Sequence, residues 1–299
     1  MNATLRTFDE APATMVALNI STIAKNPQFW KAVADFHGAI PSLNDAGAGG
    51  YYFIAPNMPF NGMQVATMSA LLVFPNQTNT EKIDKHFMGL RAKLFTRFGV
   101  KTDYRSAPFP TIHKLLSSLL IKGDSDPTGQ NVILGSRLFS HELLASDDGP
   151  SKLTDAWSQI KLSPGDTITG NIVGGGAVAK NGKAVDNAVN PAWRKAATHM
   201  YMLRYWAPNA TFAQQQEVIR NMTEVDMPIL KAVEGDEMGS YLNEANAYEP
   251  DFQREFWGGN YRRLYEIKQK WDPSGLFVAR KGVGSEDWDD AGLCRVKRR

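Results

Sequence analysis

The sequence predicts an α+β fold, in which a large antiparallel sheet is covered on one face by helices. Three observations carry this. Segments such as TMVALNIST (14–22) and THMYMLRYW (198–206) alternate as strands do. Amphipathic stretches such as 82–97 lie between strands, with apolar residues three and four apart. Strands and helices do not alternate regularly as a parallel sheet requires.

In chain order, Ala3–Pro12 and Thr14–Thr22 read as strands. Asn26-Pro27 opens a helix, with Pro27 in the first turn where its missing N–H is harmless and Phe29, Val33 and Phe36 on one stripe. YYFIAP (51–56) and TMSALLVF (67–74) are strands around a turn at Asn57–Gly62. Lys82–Arg97 is a helix with Ile83, Phe87, Leu90, Leu94 and Phe98 on one side. Phe109–Ile121 is helical, 123–129 (GDSDPTG) a flexible loop, Asn131–Leu138 a strand and Ile168–Val178 a glycine-rich strand. Thr198–Trp206 is a strand, Phe212–Val233 a helix and Ser240–Asn243 a last strand. A terminal helix starts at Asn260, whose side chain suits an N-cap. Tyr261, Leu264, Ile267 and Trp271 share one of its faces, and Asp272-Pro273 stops it. That apolar face calls for a docking partner.

The chain has 299 residues, 43% hydrophobic and 21% charged, as in ordinary globular proteins. A net charge of +2 gives no reason to expect nucleic-acid or membrane partners, and no stretch nears the ~20 apolar residues of a membrane span. Lys297–Arg299 reads as a solvated tail. Cys294 is the sole cysteine, so no intrachain disulfide forms. The N-terminus lacks the basic start and apolar run of a signal peptide. Sequons at Asn2, Asn19, Asn76, Asn209 and Asn221 are a mild pointer to a secretory route, although chance alone supplies a few in an Asn-rich chain.

Nucleotide-loop, zincin, EF-hand and nucleophile-elbow motifs are absent, and His37, His86, His113, His141 and His199 lack metal-ligand spacing, so no metal site is expected. GNIVGGGAVAKNG (170–182) has the glycines of a phosphate loop, but turn residues follow where a helix should start. It reads better as a strand that another backbone approaches closely. On the 198–206 strand, His199, Tyr201, Leu203 and Tyr205 share a face. That face either lines a substrate pocket or is half-buried sheet with polar tips in water. In SYLNEAN (240–246), Tyr241 and Asn243 point one way and Leu242 and Glu244 the other; Glu244 and Glu249 are possible acid–base groups with no partner fixed by spacing.

YLNEAN and EPDFQREFWGGNYRRLYEIKQKWDPSGLFVARKGVGSEDWDDAGLCRV resemble the C-terminal segment of fungal berberine-bridge-enzyme-like, FAD-linked oxidoreductases, which have a PCMH-type FAD-binding domain. The Asn-Tyr-x-x-Leu helix start, the Asp-Pro stop and VGSEDW (283–288) carry the likeness, and FWKAVADFHGAIPSLNDAGAGGYYF, GSRL (135–138) and NAVNPAWR extend it along the chain. The resemblance implies a substrate domain at 1–239, with 1–12 the strand that ends the FAD domain, and a berberine-bridge-like segment at 240–299. The FAD domain, with the residues that attach flavin covalently, lies outside this sequence, and the terminal helix would dock on it. FAD is the implied cofactor and a small secondary metabolite the implied substrate. By the family's motif, Tyr241 and Asn243 face the flavin, with Asn260 and Tyr261 near its edge. Arg194 and Tyr201 are the substrate-side expectation, and Tyr201 or Tyr241 the catalytic one. The alternatives are half of a split enzyme needing a separately encoded FAD domain, or a non-catalytic binding protein. A chain lacking its FAD domain is expected to expose an apolar patch and to associate when made alone.

Overall fold

The first strand, β1 (Ala13–Ile23), sets the pattern of the sheet: Val16, Leu18 and Ile20 alternate inward and are buried, while Asn19 and Ile23 stay exposed. A computed structural model describes residues 4, 5, 7, 9–119 and 130–296. Of the strand expected over 3–12, residues 9–12 have no regular structure. Helix α1 (Gln28–Asp45) follows a turn in which the Asn26 carboxamide accepts from the Gln28 N–H at 2.9 Å; Pro27 stands at the cap, one position before the first turn.

Strands β2 (Gly49–Phe60) and β3 (Met63–Pro75) form a hairpin whose turn is only Asn61-Gly62, with φ of 47° and 77°. The turn expected over 57–62 is shorter because pairing continues past Pro56. The register shifts between Ala55 and Met58, a bulge that accommodates a residue with no N–H. Helix α2 (Thr80–Phe95) is capped by Asn79, which accepts from the Lys82 N–H at 2.9 Å. Ile83, Phe87, Leu90 and Leu94 are buried as expected, but Phe98 lies beyond the helix end and is exposed.

Strand β4 (Lys101–Phe109) was hidden by its composition. It is an edge strand on β1, where Lys101, Asp103 and Arg105 can stay solvated. Helix α3 (Ile112–Leu119) begins three residues later than expected; 120–121 and the 123–129 loop lie outside the described residues, as do Asn2 and the 297–299 tail. After β5 (Val132–Ser140) come two helices the sequence did not announce, α4 (His141–Ala145) and α5 (Gly149–Gln159).

Strand β6 (Ile168–Ile172) ends well before Val178, and a five-residue helix, α6 (Gly176–Lys180), follows its glycines. The close backbone approach is real nonetheless: a Cβ on Gly174 would stand 1.9 Å from the Ala196 carbonyl oxygen. Then come β7 (Ala196–Tyr205), α7 (Phe212–Arg220), a π-helical turn over Asn221–Asp226, α8 (Met227–Lys231) and, after an irregular stretch, α9 (Tyr261–Trp271). The strand expected at Ser240–Asn243 is an extended residue pair followed by a single 3-10 turn, Leu242–Glu244.

The sheet is antiparallel throughout, in the order β4-β1-β3-β2-β6-β7-β5. Helices α1, α2, α5 and α8 supply Phe29, Phe36, Phe87, Trp157 and Leu230 to one core with Val16, Leu18, Ile54, Met68 and Met200. Full burial of each such side chain stabilises by about 1.5–3 kcal/mol. Tyr52 lies in this layer, directly over Gly170: a Cβ there would meet the ring at 1.9 Å. Gly170→Ala is therefore expected to displace Tyr52 from its 3.0 Å hydrogen bond to Thr198 and to destabilise by about 1–3 kcal/mol. Urea unfolding checks this, and an unchanged midpoint would refute the contact. The opposite face of the sheet carries no helix layer over Tyr51 and Phe53, and the candidate site residues lie on it.

Candidate functional site

Pleating puts alternate residues of β2, β6 and β7 on that open face, and the antiparallel register lines them up in rows. One row runs Tyr51–Asn171–His199 and the next Phe53–Thr169–Tyr201. Tyr51 and Phe53 are 56% and 44% exposed. The segment after Gly239 lies over the β7 end of these rows. It is clamped to β5: the Leu138 N–H donates to the Gly239 carbonyl at 2.8 Å, and the Ser240 hydroxyl donates to the Ser136 carbonyl at 2.6 Å.

This clamp delivers Tyr241 and Glu244 to His199. The His199 ring centroid lies 5.9 Å from that of Tyr241, 5.8 Å from Trp193 and 6.0 Å from Tyr201. Its Nδ1 is 3.4 Å from the Glu244 carboxylate and 3.4 Å from the Asn171 amide nitrogen. Nδ1 cannot donate and accept at once. Donation to the carboxylate is the stronger contact, and it leaves a lone pair rather than an N–H at Nε2, which is buried without a partner. Burial lowers the His199 pKa to about 4, so the imidazole is neutral at neutral pH. Burial raises Glu244 above the usual carboxylate value, and it raises Tyr201, to which the Glu244 charge adds.

The structure thus brings Tyr201 and Tyr241 together around a histidine, and Asn243 joins them by donating to the Tyr241 hydroxyl at 2.7 Å. It does not bring in Arg194, whose guanidinium donates to the Val178 carbonyl at 2.9 Å and braces the α6 loop. Asn260 is no capping acceptor: its amide donates to the Val189 carbonyl at 2.8 Å. Tyr261 donates to Glu286 at 2.6 Å and closes the tail onto α9. Sequence reasoning missed Tyr51, Phe53, Asn171 and Trp193 and left Glu244 unpartnered, because cross-strand register decides who meets whom. The shared face of His199 and Tyr201 was the one usable signal.

Two further features frame the site. Arg137 on β5, fully buried, pairs with buried Glu255 at 2.7 Å; Lys231 on α8 lies 2.7 Å from Glu249 and 3.4 Å from Glu255. These pairs tie the 240–260 stretch to the sheet. The far end of that stretch is bare: α9 has no buried residue, and Trp271, Leu276 and Phe277 are each more than three-quarters exposed. Among the described residues no helix is long and apolar enough to cross a membrane, and no cluster of three His, Cys, Asp or Glu is placed to hold a metal.

Comparison with known proteins agrees with this architecture. The berberine and berberine-like family matches residues 240–284. An uncharacterised FAD-linked oxidoreductase of Arthroderma benhamiae is 39% identical over 99% of this chain and 50% of its own length. The FAD-linked oxidoreductase malF of Malbranchea aurantiaca is 34% identical over 98% and 48%, and the flavin-dependent oxygenase ucdF of Aspergillus ustus 33% identical over 100% and 53%. The crystal structure of the VAO-type flavoprotein MtVAO713 from Myceliophthora thermophila has the same fold, with a TM-score of 0.82 at 24% identity over 93% of this chain and 49% of that one. The chain thus carries a berberine-like segment, and nearly all of it aligns with fungal FAD-linked oxidoreductases. It spans about half the length of the curated relatives it matches.

Proposed function

We propose that this chain is the substrate-side half of a FAD-linked oxidoreductase, and that it works against a FAD-binding half supplied outside these residues. The observation that carries the reading is the uncovered sheet face, where exposed Tyr51 and Phe53 flank a His199–Glu244 contact of 3.4 Å. Flat aromatic groups on an open sheet suit the planar ring of a flavin. The described residues fit that ring and not its pyrophosphate, since the only helix behind the 174–176 glycines has five residues. A flavin held against this face would supply the hydride acceptor for the substrate. Tyr51, Phe53 and Tyr241 would hold the ring and the substrate, and Asn243 fixes the Tyr241 hydroxyl.

Glu244 is the group on this face best suited to take the substrate's proton. It is partly exposed, and burial raises its pKa toward the working range of a base. Tyr201 suits the role less, because its raised pKa disfavours phenolate. It is better placed to hydrogen-bond the substrate. His199, itself out of reach of solvent, orients the carboxylate through Nδ1. Trp271, Leu276 and Phe277 form the surface through which the terminal segment would dock on the missing half.

Co-expression with the N-terminal half of the Arthroderma benhamiae relative tests this. The expected result is a complex that keeps a flavin absorption band through gel filtration, while the chain alone keeps none. Within that complex, Glu244→Gln is expected to lower kcat by about 10²–10⁴-fold. A complex that never retains flavin, or a Glu244→Gln complex with full turnover, overturns the reading.

A further inference from the structure

The charge on the open face is one-sided. Trp193, His199, Tyr201 and Tyr241 form a cluster of rings with neighbouring centroids about 6 Å apart, and Tyr51 and Phe53 extend it along the rows. Into this cluster projects a single carboxylate, Glu244, whose side chain is 35% exposed. Among the described residues its only ionic neighbour is His199, which burial keeps neutral. The two cations that follow Trp193 in the chain are engaged elsewhere: Arg194 with the Val178 carbonyl and Lys195 with Glu237 at 3.0 Å. A half-buried carboxylate without a counter-ion is under-compensated. Aromatic faces carry negative potential and attract cations. Both features favour the same ligand charge.

We propose that the site selects an arylalkyl amine in its protonated form, the ammonium resting against Glu244 and the aromatic part against Tyr51, Phe53 and Tyr201. This rests on the reading of the open face as the substrate side of the enzyme. The Tyr201 and Tyr241 hydroxyls could serve a neutral alcohol, but they are also present at any half-buried sheet face, whereas the unpaired carboxylate discriminates by sign. A carboxylate ligand would meet Glu244 with no cation to shield it.

The test needs no flavin, so its outcome is separable from that of the reconstitution above. The full chain is titrated with phenethylamine, 2-phenylethanol and 3-phenylpropionate, followed by ligand-observed NMR. The three probes share an aryl group on a short tether and differ in the charge of the polar end. Phenethylamine is expected to bind at least about tenfold more tightly than 2-phenylethanol, with 3-phenylpropionate weakest of all. Glu244→Gln is expected to bring the amine down to the level of the alcohol, while Glu237→Gln, an exposed carboxylate paired with Lys195, leaves the preference intact. Raising the salt concentration should weaken amine binding and spare alcohol binding. Equal binding of amine and alcohol, a preference for the acid, absence of binding by all three, or an amine preference that survives Glu244→Gln overturns the proposal.

Discussion

Arg137→Met is expected to lower unfolding stability by about 3–5 kcal/mol, the usual loss when one partner of a buried ion pair is removed. The guanidinium and the Glu255 carboxylate are both essentially excluded from water, 2.7 Å apart, and Arg137 also donates to the Gly235 carbonyl. Without Arg137, Glu255 keeps Lys231 at 3.4 Å and Arg254 at 3.8 Å. Burial already raises the Glu255 pKa while Arg137 and Lys231 hold it down. Removing the arginine frees that rise, so the variant's deficit should shrink on mild acidification as Glu255 takes up a proton. The double variant Arg137→Met/Glu255→Leu leaves no orphaned charge and is expected to recover most of the loss. Guanidinium unfolding of the three proteins decides: an Arg137→Met midpoint within error of the parent would mean the pair contributes nothing. The consequence reaches the site, because the Ser240 N–H donates to the Glu255 carbonyl at 2.8 Å and Tyr241 and Glu244 follow directly. A loosened Glu255 is expected to blur the Glu244–His199 contact before the chain unfolds.

How much of this was visible in the sequence depended on range. Alternation in 14–22, 67–74 and 198–206 gave strands in the right places, and put His199 and Tyr201 on one face, since a period of two is a local property. Elements with mixed composition escaped. β4 is legible only as the charged edge partner of β1, and α4 and α5 are short helices held by Leu144, Leu153 and Trp157 in the core. The Ser240–Asn243 segment reads as a strand because Tyr and Leu suit one, yet the Ser240 N–H donates to the Glu255 carbonyl at 2.8 Å rather than to β5. Asn260 illustrates the same limit at one residue: its type suits a cap, but the Val189 carbonyl competes for its side chain and wins. The site itself is a product of register, strands β2, β6 and β7 bringing together residues about 150 positions apart, as in Tyr51 and His199. Spacing within one segment cannot show that. The α9 stripe was legible in part: Ile267 and Trp271 stand exposed as its apolar pattern suggests, while Tyr261 is taken up by Glu286.

Acidification from pH 7.5 to pH 5 is expected to remove about 4 kcal/mol of stability through two buried histidines. His37 on α1 is fully buried between Phe36 and Tyr52, both ring nitrogens lack a hydrogen-bond partner, and burial lowers its pKa from 6.5 to about 3. His199 is lowered to about 4 for the same reason. Both pKa values are depressed in the folded state, so the unfolded chain binds protons that the folded chain refuses. Their stabilising contribution is therefore complete above pH 6.5 and is lost as pH falls toward the folded values. At pH 5 each histidine lies about 1.5 units below its unfolded pKa, worth about 2 kcal/mol at 1.36 kcal/mol per unit. Asp226, Glu244 and Glu255, raised by burial, oppose this trend as they take up protons, so the raw slope is a sum and the variants assign it. His37→Leu removes one titration and a buried unpaired N–H together. It is expected to match or exceed the parent by about 1 kcal/mol at pH 7.5 and to halve the loss at pH 5. His199→Gln is expected to remove the other half, with the imidazole that orients Glu244. Denaturant titrations at the two pH values read both effects. If His37→Leu kept the parent's full pH dependence, the buried imidazole would not be what couples this fold to acid.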